Sequence, residues 1–324
     1  MRPRTKKQHY VPQAVLRRFS ADGERVFVYD KVSNEVRISN VRDVAQQRYF
    51  YDIPHEVIPP DLQQTMDQQA IEHTLSELER DFNTVVERVL RKVSRPNRLR
   101  RFLNLIMFQQ GRIISRRDKE ALCFFVALQY LRTREFRLTI QDGLEQFEAA
   151  IRKRIPADQV DLFFEGFRGV NEVNVRMHHL SLMLDNEFVN ELTALLYGHI
   201  LVIGRNASNH RLYTSDNPMV RQPHVRHPLL GNAGIGSPGI EIAMPLNSEY
   251  ILIFMEKSHF ASLAKSDRKL TNLVEGNVEY YNSLQVRGCD RQVYCETDDL
   301  DSARDFCRQW PKRCAQQRRR VVVD

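Results

Sequence analysis

The spacing of apolar residues changes twice along this chain, and this pattern constrains the fold more than any single motif does. Residues 25–31 and 35–39 alternate apolar and polar side chains around Ser33 and Asn34, which predicts a β-hairpin. From about residue 62 to residue 198 the apolar residues recur every three or four positions, which predicts helices. Strand-like segments then return and alternate with further helices.

Strands near both ends with helices between them predict an α+β fold, in which N- and C-terminal strands pair in one antiparallel or mixed sheet. No repeat or linker divides the chain, so we expect one domain over residues 1–310 and a basic tail over 311–324. That domain would contain an N-terminal hairpin region (24–52), a helical region (62–198) and C-terminal strands and helices (199–310).

The individual elements follow from the same two periods. The longest predicted helix carries six apolar residues on one face: Ile71, Leu75, Leu78, Phe82, Val85 and Val89. Further helices are predicted over 99–108, 121–131, 141–154, 158–166, 172–198 and 271–288, with a last one ending near 310. Further strands are predicted over 48–51, 200–203, 212–214, 240–243, 250–255 and 291–295.

Composition limits the class of protein. With 42% hydrophobic and 27% charged residues among 324, the chain has enough apolar material for a full core and too little net charge for disorder. No window approaches 18 uncharged apolar residues, and no apolar segment follows the basic N-terminus, so neither a membrane span nor a secretory signal is predicted. The five cysteines form no CxxC pair, which favours reduced thiols in the cytoplasm.

The basic charge of the chain suggests a phosphate-bearing partner. The net charge is +7 and the pI about 9.2, and basic residues cluster at the N-terminus, over 88–101 and over 308–320. Such clusters attract DNA or RNA through counterion release, although a solvated face with a frayed basic tail is an equally good interpretation. The N-terminal candidates for nucleic-acid binding are Arg2, Arg4, Lys6, Lys7, Arg17 and Arg18.

His9 opens the first polar motif, which reads His-Tyr-Val-Pro-Gln over residues 9–13. Histidine can act as a metal ligand or as a general acid or base, because its free pKa lies near neutrality. Gln13 begins the next short helix and is a candidate for the same site. The alternative for His9 is a structural role at the edge of a strand.

Two glutamates and an arginine form the second group of candidates. Glu72 and Glu79 lie two turns apart on the long helix, on a face that borders its apolar stripe. A carboxylate beside a core needs a cation, a metal ion or hydrogen-bond donors. Arg132 and Gln129 end the apolar helix over 121–131, and Arg132 is expected either to neutralise a glutamate or to hold a phosphate.

Three further polar residues are weaker candidates. His178 and His179 project about 100° apart on a helix, so at most one of them faces a given site, and we retain His178. Asp216 lies where a strand ends in Ser-Asp-Asn-Pro, which suits either a catalytic carboxylate or a turn cap. Asn282, within a predicted helix, either binds backbone in the core or reaches the same polar centre.

The order of these motifs resembles that of the domain-of-unknown-function family 4238, bacterial proteins with an HYVP signature. The matching stretches span residues 9 to about 295 and are HYVPQAVLRRFS, RVFVYDK, IEHTLSELE, FVALQYLRTREFR, RLYTSDNPMV, AMPLN and N-x8-RQVY. The sequence departs from the family at Thr133-Arg134, where the pattern more often has Thr-Pro. The resemblance implies no activity, but it places these residues at signature positions: His9, Gln13, Glu72, Glu79, Gln129, Arg132 and Asp216.

The leading functional expectation is a metal-dependent phosphodiesterase, most plausibly a nuclease of bacterial conflict or phage defence. No phosphate-loop, HExxH or GxSxG motif is present and no GxGxxG follows a predicted strand, so the chemistries that these motifs carry are discounted. The catalytic set would be His9, Glu72, Glu79, Asp216 and Arg132, with Mg²⁺ or Mn²⁺ bound by His9, Glu79 and Asp216. The alternatives are a nucleic-acid- or protein-binding module whose polar residues form a structural network, and an enzyme acting on a small phosphorylated metabolite.

Overall fold

A computed structural model describes residues 4–62, 66–94, 111–156, 159, 170–225, 233–315 and 318–320. The α+β fold is confirmed, and most predicted helices and strands appear in the predicted order. Strands that were not predicted cover Lys7–His9, Val220–Pro223 and Lys269–Leu273. The helix predicted over 99–108, and nearly all of that over 158–166, lie outside the described residues.

The described helices include the long amphipathic helix and the apolar helix that follows it. They are α1 (Gln13–Leu16), α2 (Ala70–Ser94), α3 (Arg116–Leu131), α4 (Arg134–Arg154), α5 (Glu172–Leu184), α6 (Asn186–Gly198), α7 (Glu275–Gly288), α8 (Asp301–Gln309) and α9 (Pro311–Cys314). Short 3-10 turns cover Arg17–Phe19, His55–Val57 and Ala261–Ser266. A capping box formed by Ser115 and Asp118 starts α3, because each side chain accepts a backbone N–H of the other residue.

The described strands form three sheets rather than the single sheet that the sequence predicted. They are β1 (Lys7–His9), β2 (Arg25–Asp30), β3 (Glu35–Asn40), β4 (Gln46–Arg48), β5 (Ile200–Asn206), β6 (Thr214–Ser215), β7 (Val220–Pro223), β8 (Ile240–Pro245), β9 (Tyr250–Met255), β10 (Lys269–Leu273) and β11 (Gln292–Cys295). Every residue of β8 and β9 is buried, whereas β3 is largely exposed. A fully buried strand must be covered on both faces, whereas β3 has access to solvent. This difference agrees with the position of β8 and β9 in one sheet and of β3 in another.

The two ends of the chain pair in the smaller of the two large sheets. Its order is β3-β2-β11-β6, all antiparallel, with Tyr29 of β2 opposite Val293 of β11. The larger sheet has the order β10-β5-β9-β8-β7, in which only the β10–β5 pair is parallel. The third sheet is the antiparallel pair β1–β4. The prediction that strands from the two ends of the chain pair is therefore correct, whereas the prediction that all strands form one sheet is wrong.

Local signals misplaced several boundaries. The helical stretch predicted over 172–198 is two helices, because the side chain of Asp185 accepts the backbone N–H of Phe188 and starts a new one. The helix predicted from residue 271 begins only at Glu275, since β10 occupies the preceding residues and pairs with β5. The strand predicted over 48–51 ends at Arg48.

One large apolar cluster contains residues from all three regions of the chain. Val15, Leu75, Leu122, Leu252 and Tyr294 are all buried within it. In the described part of the chain, no helix combines the length and apolar character that crossing a bilayer requires.

Candidate functional site

Arg132 is the centre of a buried polar cluster at the C-terminal end of α3. Only 2% of its surface is exposed. Its Nη1 lies 2.7 Å from Oε1 of Glu79 on α2, its Nη2 donates to the His9 carbonyl at 2.7 Å, and its Nε donates to the Tyr51 hydroxyl at 3.3 Å. The Tyr51 hydroxyl in turn donates to the Arg132 carbonyl at 2.8 Å. We call Arg132, Glu79, Tyr51 and the His9 carbonyl the Arg132 cluster.

The electrostatics of the cluster favour a charged guanidinium. Burial alone would lower the pKa of Arg132, but neighbouring Tyr51 and Glu79 more than offset burial, and the net direction is upward. The sequence predicted that Arg132 would either neutralise a glutamate or hold a phosphate. In the structure it is paired with Glu79, and its remaining contacts are also within the protein.

Gln129 and Arg132 together hold the HYVP segment. The Gln129 Nε2 donates to the Tyr10 carbonyl at 3.0 Å, one residue after the carbonyl that Arg132 binds. Residues three apart on a helix share a face, so the end of α3 presents two donors to two successive carbonyls. Buried carbonyls need hydrogen-bond donors, and these contacts therefore stabilise the fold at this point.

Gln8 is a buried residue of this region that the sequence analysis missed. Its Nε2 donates to Oδ1 of Asp52 at 2.6 Å, and its Oε1 accepts the backbone N–H of Tyr51 at 2.6 Å. Gln69 donates to the same Asp52 oxygen at 3.0 Å. Alternation along β1 buries Gln8 and turns His9 to the opposite face. A strand of three residues gives too short a pattern to show which of the two is buried.

His9 and Glu72 each carry a buried polar atom without a hydrogen-bond partner among the described residues, namely Nε2 and Oε2. Burial lowers the pKa of His9 to about 4, although a hydrogen bond to the Val41 backbone acts in the opposite direction. Burial raises the pKa of Glu72 to about 7, although Arg132 acts in the opposite direction. The charge of Arg132 lowers the pKa of both His9 and Glu72, so both side chains lie near the Arg132 cluster.

His179, rather than His178, contacts the candidate region. His178 is exposed, whereas His179 is fully buried. The Arg137 Nε donates to His179 Nδ1 at 3.0 Å, so Nε2 must carry the ring proton that it shares with the Leu131 carbonyl at 2.7 Å. Burial lowers the pKa of His179 to about 3, which agrees with a neutral ring. Its contacts connect α5 to the end of α3.

Asp216 lies in a different set of contacts from the Arg132 cluster. Its two carboxylate oxygens accept the backbone N–H groups of residues 290, 291 and 292 at 2.7–2.8 Å, just before and at the start of β11. Burial, together with the negative charge of Asp290, raises its pKa. Burial raises the pKa of Tyr10, and the charges of Asp216 and Tyr51 raise it further. Contrary to the turn-capping alternative, the Asp216 carboxylate thus binds the backbone of a distant segment rather than capping its own loop.

Asn282 also bonds to backbone. Its Oδ1 accepts the Tyr213 N–H at 2.8 Å, and its Nδ2 donates to the Arg211 carbonyl at 2.8 Å. The side chain thus holds the segment that enters β6 against α7. Of the two roles that the sequence left open, the contacts fit backbone binding in the core.

Gln13 is directed along its own helix. Its Oε1 accepts a hydrogen bond from Arg17 at 2.8 Å. Arg18 donates to Asn83 on α2, and burial lowers its pKa to about 10. Arg18, one of the predicted nucleic-acid-binding residues, is therefore partly directed into the protein.

The four N-terminal basic residues contribute unequally to the surface charge. Arg4 and Lys7 each form an ion pair with an aspartate, at 2.7 and 2.6 Å. Lys6 is exposed. Arg2 lies outside the described residues.

A preassembled metal centre does not form from the predicted ligands. In the described part of the chain, donor atoms of three residues approach one another within 4.8 Å at His210, Glu275 and Glu279. There the His210 ring already bonds to Glu275 at 3.2 Å. The ligand set predicted from the sequence is not such a group: His9, Glu79 and Asp216.

A cavity of about 580 Å³ lies between α4, α7, β7 and the C-terminal segment. Among the residues that the structure describes, seven cationic residues and one carboxylate line it: Arg221, Arg287, Lys312, Arg313, Arg318, Arg319 and Arg320, with Glu135. Burial lowers the pKa of Arg287, and the charges of Arg313 and Arg318 lower it further. Positive charges are thus held close enough to repel one another, and a bound anion would relieve this repulsion. We call this site the basic cavity.

The C-terminal segment differs from the basic tail that the sequence predicted. Its first residues form α9. Arg318 and Arg320 bind Glu135 at 2.7 and 3.0 Å, and Arg320 also binds Asp290 at 3.1 Å. These arginines are largely buried, because two carboxylates of the folded domain receive them. The segment is part of the cavity wall.

The fold and these side chains define an α+β protein in which polar signature residues hold backbone segments together beside a cationic cavity. The profile of the family described as "Protein of unknown function (DUF4238)" matches residues 7–299, and the chain belongs to this family. The resemblance inferred from the motifs is thereby confirmed. No curated protein and no solved structure matches the chain.

Proposed function

We propose that this chain is a nucleic-acid-binding protein, that nucleic acid binds at the basic cavity, and that the signature side chains form a structural network. The observation that carries the proposal is the excess of positive charge around one cavity, where the described lining residues include seven cations and one carboxylate. Phosphate groups are the ligands that such a lining attracts, and their binding releases counterions. The proposal follows the second interpretation that the sequence left open.

The contacts of the signature residues support this assignment. Gln129 and Arg132 bind carbonyls of the HYVP segment, and Asp216 accepts three backbone N–H groups. A buried side chain that satisfies backbone groups has little capacity left for a polymeric substrate. Such contacts favour a structural role for these residues and leave the exposed cations to bind the ligand.

Removing exposed cations of the cavity is expected to weaken binding of DNA or RNA. Lys312, Arg313 and Arg319 are exposed, so changing all three to glutamine should preserve the fold. If each contacts a phosphate, the slope of log affinity against log salt should become shallower by about 2–3. Fluorescence anisotropy with labelled oligonucleotides, over a series of salt concentrations, measures both affinity and slope.

The matched control removes three exposed cations outside the cavity lining: Arg117→Gln, Lys257→Gln and Lys265→Gln. It has the same net charge as the test variant, so a purely global charge effect would change both equally. Equal loss in both variants would contradict a localised site. Absence of binding by the wild-type protein at low salt would contradict the proposal itself.

A metal-dependent phosphodiesterase or nuclease is the second candidate function. It is favoured by the unpartnered atoms of His9 and Glu72 and by the pKa of Glu72, which burial raises to about 7. A carboxylic acid that titrates near neutrality suits general acid–base catalysis, and carboxylates are the ligands that Mg²⁺ and Mn²⁺ prefer. Arg132 would stabilise negative charge on a phosphate next to them.

Nuclease assays with Mg²⁺, Mn²⁺ and EDTA test this second function. Glu72→Gln is expected to reduce cleavage by roughly 100-fold or more, as loss of a general acid or base does. Glu77→Gln, at an exposed position of the same helix, is the control and should retain activity. A folded wild-type protein that cleaves neither DNA nor RNA with either metal would contradict catalysis while leaving nucleic-acid binding open.

A further inference from the structure

The size of the basic cavity limits the nucleic acid that can enter it. Its volume of about 580 Å³ lies within the range of sites for small molecules and cofactors. One nucleotide fits such a space, whereas an intact double helix does not.

The inner wall of the cavity offers a stacking surface. Tyr130 and Phe136 line it, and their rings meet edge to face with centroids 4.9 Å apart. The Arg221 guanidinium lies over the Tyr130 ring, 4.9 Å from its centroid. Bases of single strands stack on aromatic rings and on arginine planes in this way.

Asn217 adds an independent sign of a ligand that carries a hydrogen-bond donor. It lines the cavity and is only 9% exposed. Its Nδ2 donates to the Gly288 carbonyl at 2.9 Å, which fixes the orientation of the amide. Its Oδ1 is buried and has no partner among the described residues. Phosphate oxygens are acceptors and cannot fill this position, whereas the N–H groups of a nucleobase can.

We infer, building on the proposed nucleic-acid binding, that the ligand is a single strand with one base inserted in the basic cavity. The base would stack against the Tyr130–Arg221 pair and donate to Asn217 Oδ1. The flanking phosphates would lie on the exposed cations Lys312, Arg313 and Arg319. The cavity therefore assigns separate regions to the base and to the backbone of the strand.

Anisotropy measurements with three ligands of one length test the inference: a single-stranded oligonucleotide, its blunt duplex and an abasic strand. We expect the wild-type protein to bind the complete strand about 5- to 100-fold more tightly than the abasic strand, since one stacked base contributes that factor. The duplex should also bind more weakly. Tyr130→Leu should abolish the preference for the complete strand, and Tyr130→Phe, which keeps the ring, should retain it.

The outcomes separate this inference from the proposed function. Equal affinity for the complete and abasic strands, or for strand and duplex, would overturn base insertion while nucleic-acid binding stood. Failure of all three ligands to bind would overturn both. The comparison of ligands on the wild-type protein remains decisive even if Tyr130→Leu does not fold.

Discussion

Replacing Arg132 with methionine is expected to destabilise the protein by about 2–4 kcal/mol, less than breaking a fully buried ion pair, because the Glu79 side chain is 26% exposed. The substitution leaves Glu79 without its cation and deprives the His9 carbonyl and the Tyr51 hydroxyl of a donor. Methionine retains much of the volume of the side chain, so the loss reports the polar contacts more than a cavity. Urea denaturation monitored by circular dichroism gives the free energy of unfolding.

Two further variants make the Arg132 result interpretable. Arg80→Met removes an exposed arginine next to Glu79 on α2 and should change the free energy of unfolding by less than about 0.5 kcal/mol. Adding Glu79→Gln to Arg132→Met should recover part of the loss, because the unpaired carboxylate is then gone. If Arg132→Met alone were as stable as the wild type, the structural role of the cluster would be wrong.

The Glu72→Gln variant is expected to be more stable than the wild-type protein at pH 8 and equally stable near pH 4. Burial raises the pKa of Glu72 from 4.5 to about 7 in the folded state, so folding favours the protonated form. The stability that this proton provides is complete below pH 4.5 and is lost as the pH rises through 7. At about 1.4 kcal/mol per pKa unit the full shift corresponds to about 3 kcal/mol at pH 8, and the partial exposure of Glu72 reduces the expected difference to roughly 1–3 kcal/mol.

Urea denaturation at several pH values between 4 and 8 measures this difference. Glu77→Gln, exposed on the same helix, provides the control and should show no comparable dependence on pH. A Glu72→Gln variant that is less stable than the wild type at pH 8 would show that the carboxylate is ionised and paired in the folded state. In that case the acid–base role considered for Glu72 would lose its support.

Local periodicity was sufficient to predict most elements of the fold. The hairpin formed by β2 and β3 turns at Asn34, whose φ of 57° is one that asparagine tolerates well, and α2 covers the apolar stripe that begins at Ile71. Both depend on neighbours along the chain. By contrast, β10 forms because β5 provides a strand beside it, and nothing within Lys269–Leu273 distinguishes it from the start of the following helix.

The polar residues of the candidate site were recognised, but their partners were not. Arg132 binds a carbonyl 123 residues away, and Asp216 accepts N–H groups more than 70 residues away. Peptide groups are the same at every position, so no sequence pattern identifies which of them a side chain will reach. Gln8 was missed, and His178 was retained instead of His179, because the burial of Gln8 and His179 depends on packing between distant elements.

The sequence by itself determined the α+β class, the family and the set of polar side chains beside the core, since these depend on composition, spacing and motif order. Only the tertiary structure decided that most of these side chains bind backbone and that Arg221, Arg287 and Arg318 surround one cavity. The arginines come from a strand, a helix and the C-terminal segment, and folding brings them together only because other contacts position those elements. The net charge follows from the sequence alone, whereas a cationic cavity forms only when charged residues from distant segments lie close together in the folded chain.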